Sequence, residues 1–277
     1  MARIGDLNRL TVVKMVDHGA YLDGDDLGEI LLPRRYVPEG CKPGDSVEVF
    51  IYLDSQDLMV ATTDKPYAMA GQFACLKVVS VNAVGAFLDW GLPKDLLVPF
   101  REQKQKMEVG GSYIVFVYLD YKTNRMVASS RLDNFIDTRP VCFRQGQEVD
   151  LFICEMTDIG YKVIINNTYW GMLFKNDVFR QLRLGCWIKG FIKNIRDDGK
   201  IDVCLQKPGY DEIGPISQKI IESLKQQGGF IPVTDKSSPE TIYNLFGISK
   251  KTYKKAVGAI YKKRLIVIEP GGIKLVG

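Results

Sequence analysis

The sequence VFIYLD at residues 49–54 returns as VFVYLD at residues 115–120, and this repetition decides the fold. A second segment recurs with the same spacing, because GAYLD at residues 19–23 is followed 66 positions later by GAFLD at residues 85–89. Segments that keep both their order and their spacing over a whole unit indicate an internal duplication. The sequence therefore predicts two tandem copies of one structural unit.

A fainter third copy follows the first two. IGYKVI (159–164) occupies the place of GAFLD, and GMLF (171–174) occupies the place of LLVP (96–99). The longer segment LGCWIKGFIKNIRDDGKIDVCL (184–205) runs in parallel with VGGSYIVFVYLDYKTNRMVASS (109–130). The loops of the third copy differ in length, but the order of its segments predicts a third unit of the same kind.

Each unit has the composition of a small β-structure. VEVFIYL (47–53) and YIVFVYL (113–119) are rich in the β-branched and aromatic residues that favour strands. RDDGK (196–200) separates two such segments and is typical of a hairpin turn. About five short strands in roughly 65 residues predict a closed barrel of the oligonucleotide-binding type, whose closure leaves no apolar strand edge exposed.

The C-terminal quarter of the chain has a helical period instead. Ile213, Ile216 and Ile220 begin a series of apolar residues at helical spacing, which Gly228 and Gly229 end. FIPVTD (230–235) then predicts a short strand. Ser238 before Pro239 and later Ser249 have the composition of helix N-caps, and LIVI (265–268) and IKLV (273–276) predict a hairpin. Helix, strand, helix, helix and hairpin is the order of a winged helix.

We therefore predict a mainly β, multidomain protein: three tandem five-stranded β-barrels of the oligonucleotide-binding type, then a C-terminal α+β winged-helix domain. The predicted boundaries are 1–64, 65–138 and 139–208 for the barrels and 209–277 for the winged helix.

These motifs carry a family resemblance. GAFLD, a loop, a short apolar run and a strand motif close to G-x-x-V-x-V-x-V-x-x-D resemble the S-one (S1) RNA-binding domain, which is named for a ribosomal protein. With the C-terminal segment, the three units resemble the bacterial conserved virulence factor B family, most specifically at ILLPRRYVPEG (30–40) and IRDDGKIDVCLQKPGY (195–210). The resemblance implies RNA binding and a regulatory role in gene expression, including virulence traits.

Aromatic residues are the first candidates for contact with RNA. Barrels of this type hold single strands by stacking bases on exposed aromatic side chains, at about 1–3 kcal/mol per base. We assign Tyr21, Phe87 and Tyr161 to the equivalent strand position of the three units. The same rings can instead fill the barrel interiors, and the sequence leaves both interpretations open.

Cations near these aromatics are the second set of candidates. They are Arg34, Arg35, Lys94, Arg101, Lys162 and Lys175. They can bind phosphate or remain solvated loop charges. Residues 1–208 hold 26 Lys/Arg against 27 Asp/Glu, so the barrels as a group gain little from counterion release. The histidine that commonly follows the apolar run in the S-one family is replaced by Pro33, Pro99 and Phe174.

The positive charge of the chain is concentrated at its C-terminal end. Residues 209–277 hold 11 Lys/Arg against 6 Asp/Glu, and the predicted third helix, SKKTYKKAVGAIYKKR (249–264), is the most basic element. At 100° per residue its apolar side should hold Tyr253, Ala256, Val257, Ile260 and Tyr261. Lys251, Lys255 and Lys262 point the opposite way, and Lys254 completes the set of binding lysines. Lysine suits phosphate contact and reads little sequence.

The motifs of enzymes are missing from the sequence. It has no Walker loop, no G-x-S-x-G, no dinucleotide-binding glycine pattern and no C-x-x-C, and its one histidine, His18, falls in a predicted loop. We therefore predict no catalytic residues, no cofactor and no metal site. Without a signal peptide or a membrane-length apolar run, a cytoplasmic location away from membranes is expected.

The resulting hypothesis is a cytoplasmic protein that binds single-stranded or unstructured RNA with low sequence specificity. Two alternatives stay open. The winged helix can read duplex DNA as a transcriptional regulator, or its lysines can meet an acidic protein partner in an interaction scaffold. RNA is preferred because barrels and winged helix share one chain.

Overall fold

The computed structural model describes residues 1–139, 142–178, 181–205 and 214–276. It divides into two units, Met1–Leu205 and Gln206–Gly277. Ile213, which we predict to begin the first C-terminal helix, lies outside the described residues. Where one barrel ends and the next begins stays a prediction.

The first barrel follows the predicted alternation of inward and outward residues. Ala20 and Leu22 are fully buried, whereas Tyr21 between them is half-buried on the outer surface. The sheet closes in the order β1-β2-β3-β5-β4, with β3 and β5 parallel and the other described pairs antiparallel. Its strands are β1 (Leu7–Val16), β2 (Gly19–Asp23), β3 (Glu29–Pro33), β4 (Ser46–Leu53) and β5 (Met59–Thr62).

The second and third barrels repeat this topology. The second contains β6 (Gln72–Val81), β7 (Gly85–Asp89), β8 (Leu96–Pro99), β9 (Ser112–Asp120) and β10 (Arg125–Ser129). The third contains β11 (Glu148–Met156), β12 (Gly160–Ile165), β13 (Tyr169–Phe174), β14 (Trp187–Ile195) and β15 (Ile201–Cys204). Both sheets are closed, so the prediction of three tandem barrels is confirmed.

The repeated VFIYLD phrase serves the junctions between barrels as well as their cores. In β4, Val49 and Ile51 point into the first barrel, while Phe50 and Tyr52 point out of it and are buried against Trp90. The Trp90 ring lies edge-on to Phe50 and Tyr52, with centroids 5.7 and 6.3 Å apart. Burial raises the pKa of Tyr52 to about 12. Outward aromatics of the first barrel thus dock the second.

The second copy of the phrase does the same at the next junction. Phe116 of β9 packs against Phe73 of β6, at 4.7 Å between ring centroids, and against Phe135, at 4.3 Å. Phe135 belongs to the segment that connects the second barrel to the third. Phe152 and Ile164 of the third barrel complete this apolar cluster, so the connecting segment is wedged between the two barrels.

The C-terminal unit has the predicted winged-helix order. Its elements are α1 (Pro215–Gln226), β16 (Phe230–Ile231), α2 (Pro239–Phe246), α3 (Lys250–Lys262), β17 (Ile266–Glu269) and β18 (Gly272–Leu275). The strands form one sheet in the order β16-β18-β17. β16 is shorter than predicted, because Pro232 has no amide hydrogen to donate to a neighbouring strand.

Both predicted caps form in this unit. The Ser238 hydroxyl accepts a hydrogen bond from the Thr241 amide at 3.1 Å, and the Ser249 hydroxyl accepts one from the Thr252 amide at 3.2 Å. Tyr253 is fully buried in α3 and donates a hydrogen bond to the Val233 carbonyl at 3.0 Å. These contacts hold the apolar side of α3 against the domain core.

Among the described helices, none has the length and apolar character needed to cross a membrane.

We expect Trp90→Ala to destabilise the barrels, because Trp90 is only 2% exposed at the first junction. The free energy of unfolding should fall by about 3–5 kcal/mol, as for other buried large-to-small aromatic changes. Urea denaturation of the full chain, followed by circular dichroism, measures this. Tyr121→Ala is the control, since Tyr121 is 87% exposed, and should change stability by less than about 0.5 kcal/mol. Equal losses for the two variants would contradict the proposed junction.

Candidate nucleic-acid interface

A row of three outward side chains crosses the same three strands in every barrel. In each barrel, a residue of the second strand pairs with a residue of the third strand. The same third-strand residue also pairs with a residue of the fifth strand. We call this set the face row. The face rows are Tyr21–Leu31–Val60, Phe87–Leu97–Val127 and Lys162–Met172–Asp202.

The assignment of Tyr161 to this position is wrong. Tyr161 is 8% exposed and belongs to the core of the third barrel, where it stands in the place of Ala20 and Ala86. Lys162 takes the outward position equivalent to Tyr21 and Phe87. Because successive strand residues point to opposite faces, the one-residue error in the alignment exchanged inside for outside.

A glycine at the start of each second strand fixes this register. A Cβ added at Gly19 would lie 2.1 Å from the Leu32 carbonyl oxygen, and one at Gly160 would lie 2.1 Å from that of Leu173. Gly85 has the same relation to Val98, at 2.2 Å. Only glycine allows the two backbones to approach this closely. The glycines, rather than the aromatics, therefore give the correct alignment of the three copies.

Two of the three predicted aromatic positions lie on a barrel surface. Tyr21 and Phe87 are half-buried. The Lys14 ammonium lies 4.7 Å from the centroid of the Tyr21 ring and 2.5 Å from a carboxylate oxygen of Glu29. His18 meets the Tyr21 ring edge-on at 6.1 Å. The cation nearest to the Tyr21 ring is thus already paired with a carboxylate.

Lys94 lies away from any open face. Its ammonium donates to the carbonyl oxygens of Leu53, at 3.0 Å, and Asp54, and it lies 3.6 Å from Asp57. Asp57 also pairs with Arg125, whose hydrogen bond is the main cause that holds the pKa of the Asp57 carboxyl below its usual value. Lys94 therefore ties the second barrel to the β4–β5 turn of the first, and the phosphate contact predicted for it does not fit this placement.

The remaining loop cations are exposed but only loosely grouped. Arg34 donates to the Asp17 carbonyl at 3.3 Å, and the Arg35 guanidinium lies 4.6 Å from the centroid of the Tyr36 ring. Arg101 lies 3.7 Å from Glu102. The structure leaves Lys175 exposed directly after β13. These side chains are available to a ligand without forming a dense cationic groove.

The three barrels differ strongly in charge, which a count over all of them conceals. Residues 1–64 hold 6 Lys/Arg against 12 Asp/Glu, residues 65–138 hold 9 against 7, and residues 139–208 hold 11 against 8. The excess of carboxylates in the first barrel repels a polyanion. Positive charge rises along the chain toward the winged helix.

A cavity of about 560 Å³ opens on the outer face of the third barrel, beside its face row. The Lys162 ammonium lies 3.7 Å from the centroid of the Trp170 ring, and Trp170 donates its indole N–H to Asp133 at 2.9 Å. Arg196 donates from Nε to Asp202 at 3.0 Å, and this hydrogen bond is the main cause that raises the pKa of the Arg196 guanidinium. Sequence reasoning missed Trp170, Arg196 and Asp202.

The basic face of α3 forms as predicted for most of its lysines. Lys251, Lys255 and Lys262 are exposed and make no ion pair with any residue that the structure describes. Lys254 is exposed but lies 3.7 Å from Asp235. The prediction that Tyr261 lies on the apolar side of α3 is wrong, because Tyr261 is 52% exposed at the margin of the buried stripe.

Gly258 lies on the same exposed side of α3. A Cβ placed there would have no atom of the described residues within 4 Å. Close approach by the protein's own backbone, in the part of the chain that the structure describes, therefore does not explain this glycine.

Core and surface aromatics should differ in their contribution to stability. We expect Tyr161→Ala to lower the free energy of unfolding by about 3–5 kcal/mol, as for a buried aromatic residue. Tyr21→Ala should cost no more than about half of that, since part of its ring stays in water in the folded state. Thermal unfolding of both variants compares them. An equal loss would place Tyr21 in the core and remove it from the surface.

Comparison with known proteins agrees with this architecture. The family model for the S1 domain matches residues 4–64 and 70–130, and the model for the CvfB-like winged helix domain matches residues 218–275. The chain is 28% identical to the uncharacterized protein YitL of Bacillus subtilis over 284 residues, which cover 97% of this chain and 92% of YitL. It is 25% identical to Conserved virulence factor B of Staphylococcus epidermidis over 281 residues, covering 98% and 94%.

A solved structure from Streptococcus pneumoniae, described as a multidomain protein with nucleic acid binding domains, is also similar. It is 23% identical, covers 99% of this chain and 98% of its own, and aligns with a TM-score of 0.41. Barrels of the S1 type, the CvfB-like winged helix and relatives matched over nearly their full length together identify the family: this chain belongs to the conserved virulence factor B family.

Proposed function

We propose that this protein binds single-stranded or unstructured RNA with little sequence specificity, in a cytoplasmic role that regulates gene expression. The observation that carries the proposal is the face of α3, where Lys251, Lys255 and Lys262 are exposed and, within the described residues, unpaired. Three ammonium groups without carboxylate partners on one side of a helix suit a polyanion. The S1 domains and the family name support the nucleic-acid and regulatory parts of the proposal.

Lysine also determines what kind of contact this helix makes. Specific reading of duplex DNA depends mainly on Arg, Asn or Gln side chains at base edges. The exposed side of α3 offers lysines, which contact phosphates as point charges and distinguish bases poorly. This composition favours non-specific contact with a nucleic-acid backbone.

The barrels add stacking surfaces to this electrostatic contact. Phe87 is the stronger candidate, because its barrel carries a small excess of cations, whereas Tyr21 lies in a barrel with twice as many carboxylates as cations. A base stacked on an aromatic ring contributes about 1–3 kcal/mol. Several weak sites on one chain strengthen each other, since binding at one raises the effective concentration of ligand at the next.

Duplex DNA is the second candidate ligand, favoured by the helix-turn-helix arrangement of α2 and α3. Competition between a single-stranded RNA and a duplex DNA of equal length decides between them in a filter-binding assay. The RNA proposal predicts that unlabelled duplex DNA displaces labelled RNA poorly. An acidic protein partner would instead predict no binding to homopolymer RNA at physiological salt.

We expect simultaneous Lys251→Glu, Lys255→Glu and Lys262→Glu changes to weaken RNA binding and to flatten its dependence on salt. Each phosphate contact with a single strand contributes a slope of about 0.7 in log K against log salt, so the loss of three flattens the slope by about 2. Fluorescence anisotropy over a series of salt concentrations measures both effects.

The control for this variant carries the same change in net charge elsewhere. Lys42→Glu, Lys77→Glu and Lys106→Glu alter exposed lysines of the first two barrels. They should leave most of the affinity and slope intact. If both triple variants lose affinity equally, net charge rather than the α3 face controls binding. An unchanged slope in the α3 variant would place the site elsewhere.

Phe87→Leu tests stacking separately from charge. Replacing the ring should weaken binding of an oligouridine by about 1 kcal/mol, which is about fivefold. The melting temperature should change little, because the outward part of the ring is partly in water. A large fall in melting temperature with unchanged affinity would show that the ring serves the fold alone.

A further inference from the structure

The most basic helix of the protein, α3, has a glycine in the middle of its exposed side. Gly258 lies inside the helix, where glycine lowers helix stability relative to alanine. A Cβ at this position would meet no atom of the described residues within 4 Å, so alanine would fit the free protein without a clash. The described part of the free protein therefore gains nothing from glycine here, and a contact with a binding partner is the explanation that is left.

Three lysines and one tyrosine surround this glycine. In an α-helix, the residues three and four positions away are the neighbours on the helix surface, at about 5–6 Å between Cβ atoms. For Gly258 they are Lys254 and Lys255 on the preceding turn and Tyr261 and Lys262 on the following turn. All four are exposed. The exposed side of α3 therefore has a depression at Gly258, with the helix backbone as its floor.

The lysines around the depression suit a phosphate group. Lys255 and Lys262 make no ion pair with any residue that the structure describes, whereas Lys254 lies 3.7 Å from Asp235. The two unpaired lysines flank Gly258 along the helix axis, so their flexible side chains can converge on an anion above it. Because glycine has no Cβ, that anion can approach the helix backbone closely. A phosphate of a nucleic-acid strand meets these requirements.

Tyr261 supplies a surface for a base beside that phosphate. It is 52% exposed, and no ring or cation from the described part of the chain contacts its ring. The Tyr21 ring of the first barrel, in contrast, already has a lysine ammonium 4.7 Å from its centroid. Helical side chains lean toward the N-terminus of their helix, which directs Tyr261 toward the turn of Gly258. Only an unstacked base can lie on such a ring, so this arrangement favours a single strand.

We propose that Gly258 and Tyr261 bind one nucleotide of a single-stranded RNA, with a phosphate against the α3 backbone at Gly258 and the base stacked on Tyr261. Lys255 and Lys262 hold the phosphate from either side. This inference rests on the proposed RNA binding and deepens it, because it assigns positions on α3 to a phosphate and to a base. It explains both the glycine within the lysine face and the exposure of Tyr261.

Substitutions at Gly258 separate binding from stability. Gly258→Ala and Gly258→Leu should raise the melting temperature of the C-terminal unit by a few degrees, because both residues favour a helix more than glycine does. The same changes should weaken binding of an oligouridine. We expect a loss of about tenfold for leucine, the effect of one lost charge-assisted contact, and a smaller loss for alanine. The helical circular dichroism signal measures the first effect, and fluorescence anisotropy at fixed salt measures the second.

Ala259→Leu is the matched control for added bulk. Ala259 is also exposed in α3, but its side chain points about 100° away from Gly258. This variant should bind oligouridine as the wild type does. Equal losses in the two leucine variants would overturn the site, because bulk anywhere on the helix would then weaken binding. A lower melting temperature for Gly258→Ala would also overturn it, since glycine would then serve the fold.

Tyr261→Leu tests the base contact. It should weaken oligouridine binding about fivefold and leave any binding of a double-stranded RNA of equal length unchanged, since paired bases cannot stack on the ring. Wild-type affinity for oligouridine in either Gly258→Leu or Tyr261→Leu overturns the nucleotide site and leaves RNA binding standing. Failure of the wild-type chain to bind oligouridine overturns both.

Discussion

The outer surface of each barrel depends on the close approach of a glycine to a carbonyl group on the neighbouring strand. Gly19, Gly85 and Gly160 each face a carbonyl oxygen at a distance that no side chain tolerates. This contact fixes how the second strand pairs with the third, and it therefore decides which of two adjacent residues faces water. The positions of Tyr21, Phe87 and Lys162 follow from it.

Duplication explains why the three barrels share one fold, but their outer surfaces differ in what they contact and in their charge. The aromatic residues that alternate with the core in VFIYLD and VFVYLD are used at the junctions, where Phe50 and Phe116 pack against a neighbouring barrel or the connecting segment. The face rows are only partly open to a ligand, because Val60 and Val127 are 7% exposed and Val60 packs in the first junction. The face rows are apolar in the first two barrels and charged in the third, beside a cavity that the junction segment helps to line. The barrels are thus similar in fold and distinct in chemistry.

Much of the fold could be predicted from the sequence because its signals are local. Alternation of apolar residues gives strands, and Ser238 and Ser249 cap helices through their own side chains and amides three residues ahead.

The errors arose where position depends on distant residues. Tyr161 was misplaced by aligning the third copy on its aromatic instead of its glycine. The role of Lys94 depends on the junction between the first and second barrels, which no local pattern shows. A helical wheel gives the direction of each side chain of α3 but not the width of the stripe that is buried, so it could not show that Tyr261 is exposed. Asp202 could have been found from the sequence, because aligning IDVC (201–204) with MVAS (126–129) places its carboxylate at the position of Val127.

Net positive charge rises from an acidic first barrel to a basic final helix. The positions at which RNA contacts the chain are therefore the most direct test of the proposed binding. A photo-crosslinkable RNA that contains 4-thiouridine, bound to the full chain, can be mapped to peptides by mass spectrometry. We expect adducts in α3 and on the outer faces of the second and third barrels, with few on the first. Adducts confined to the first barrel, with none in α3, would contradict the proposed binding.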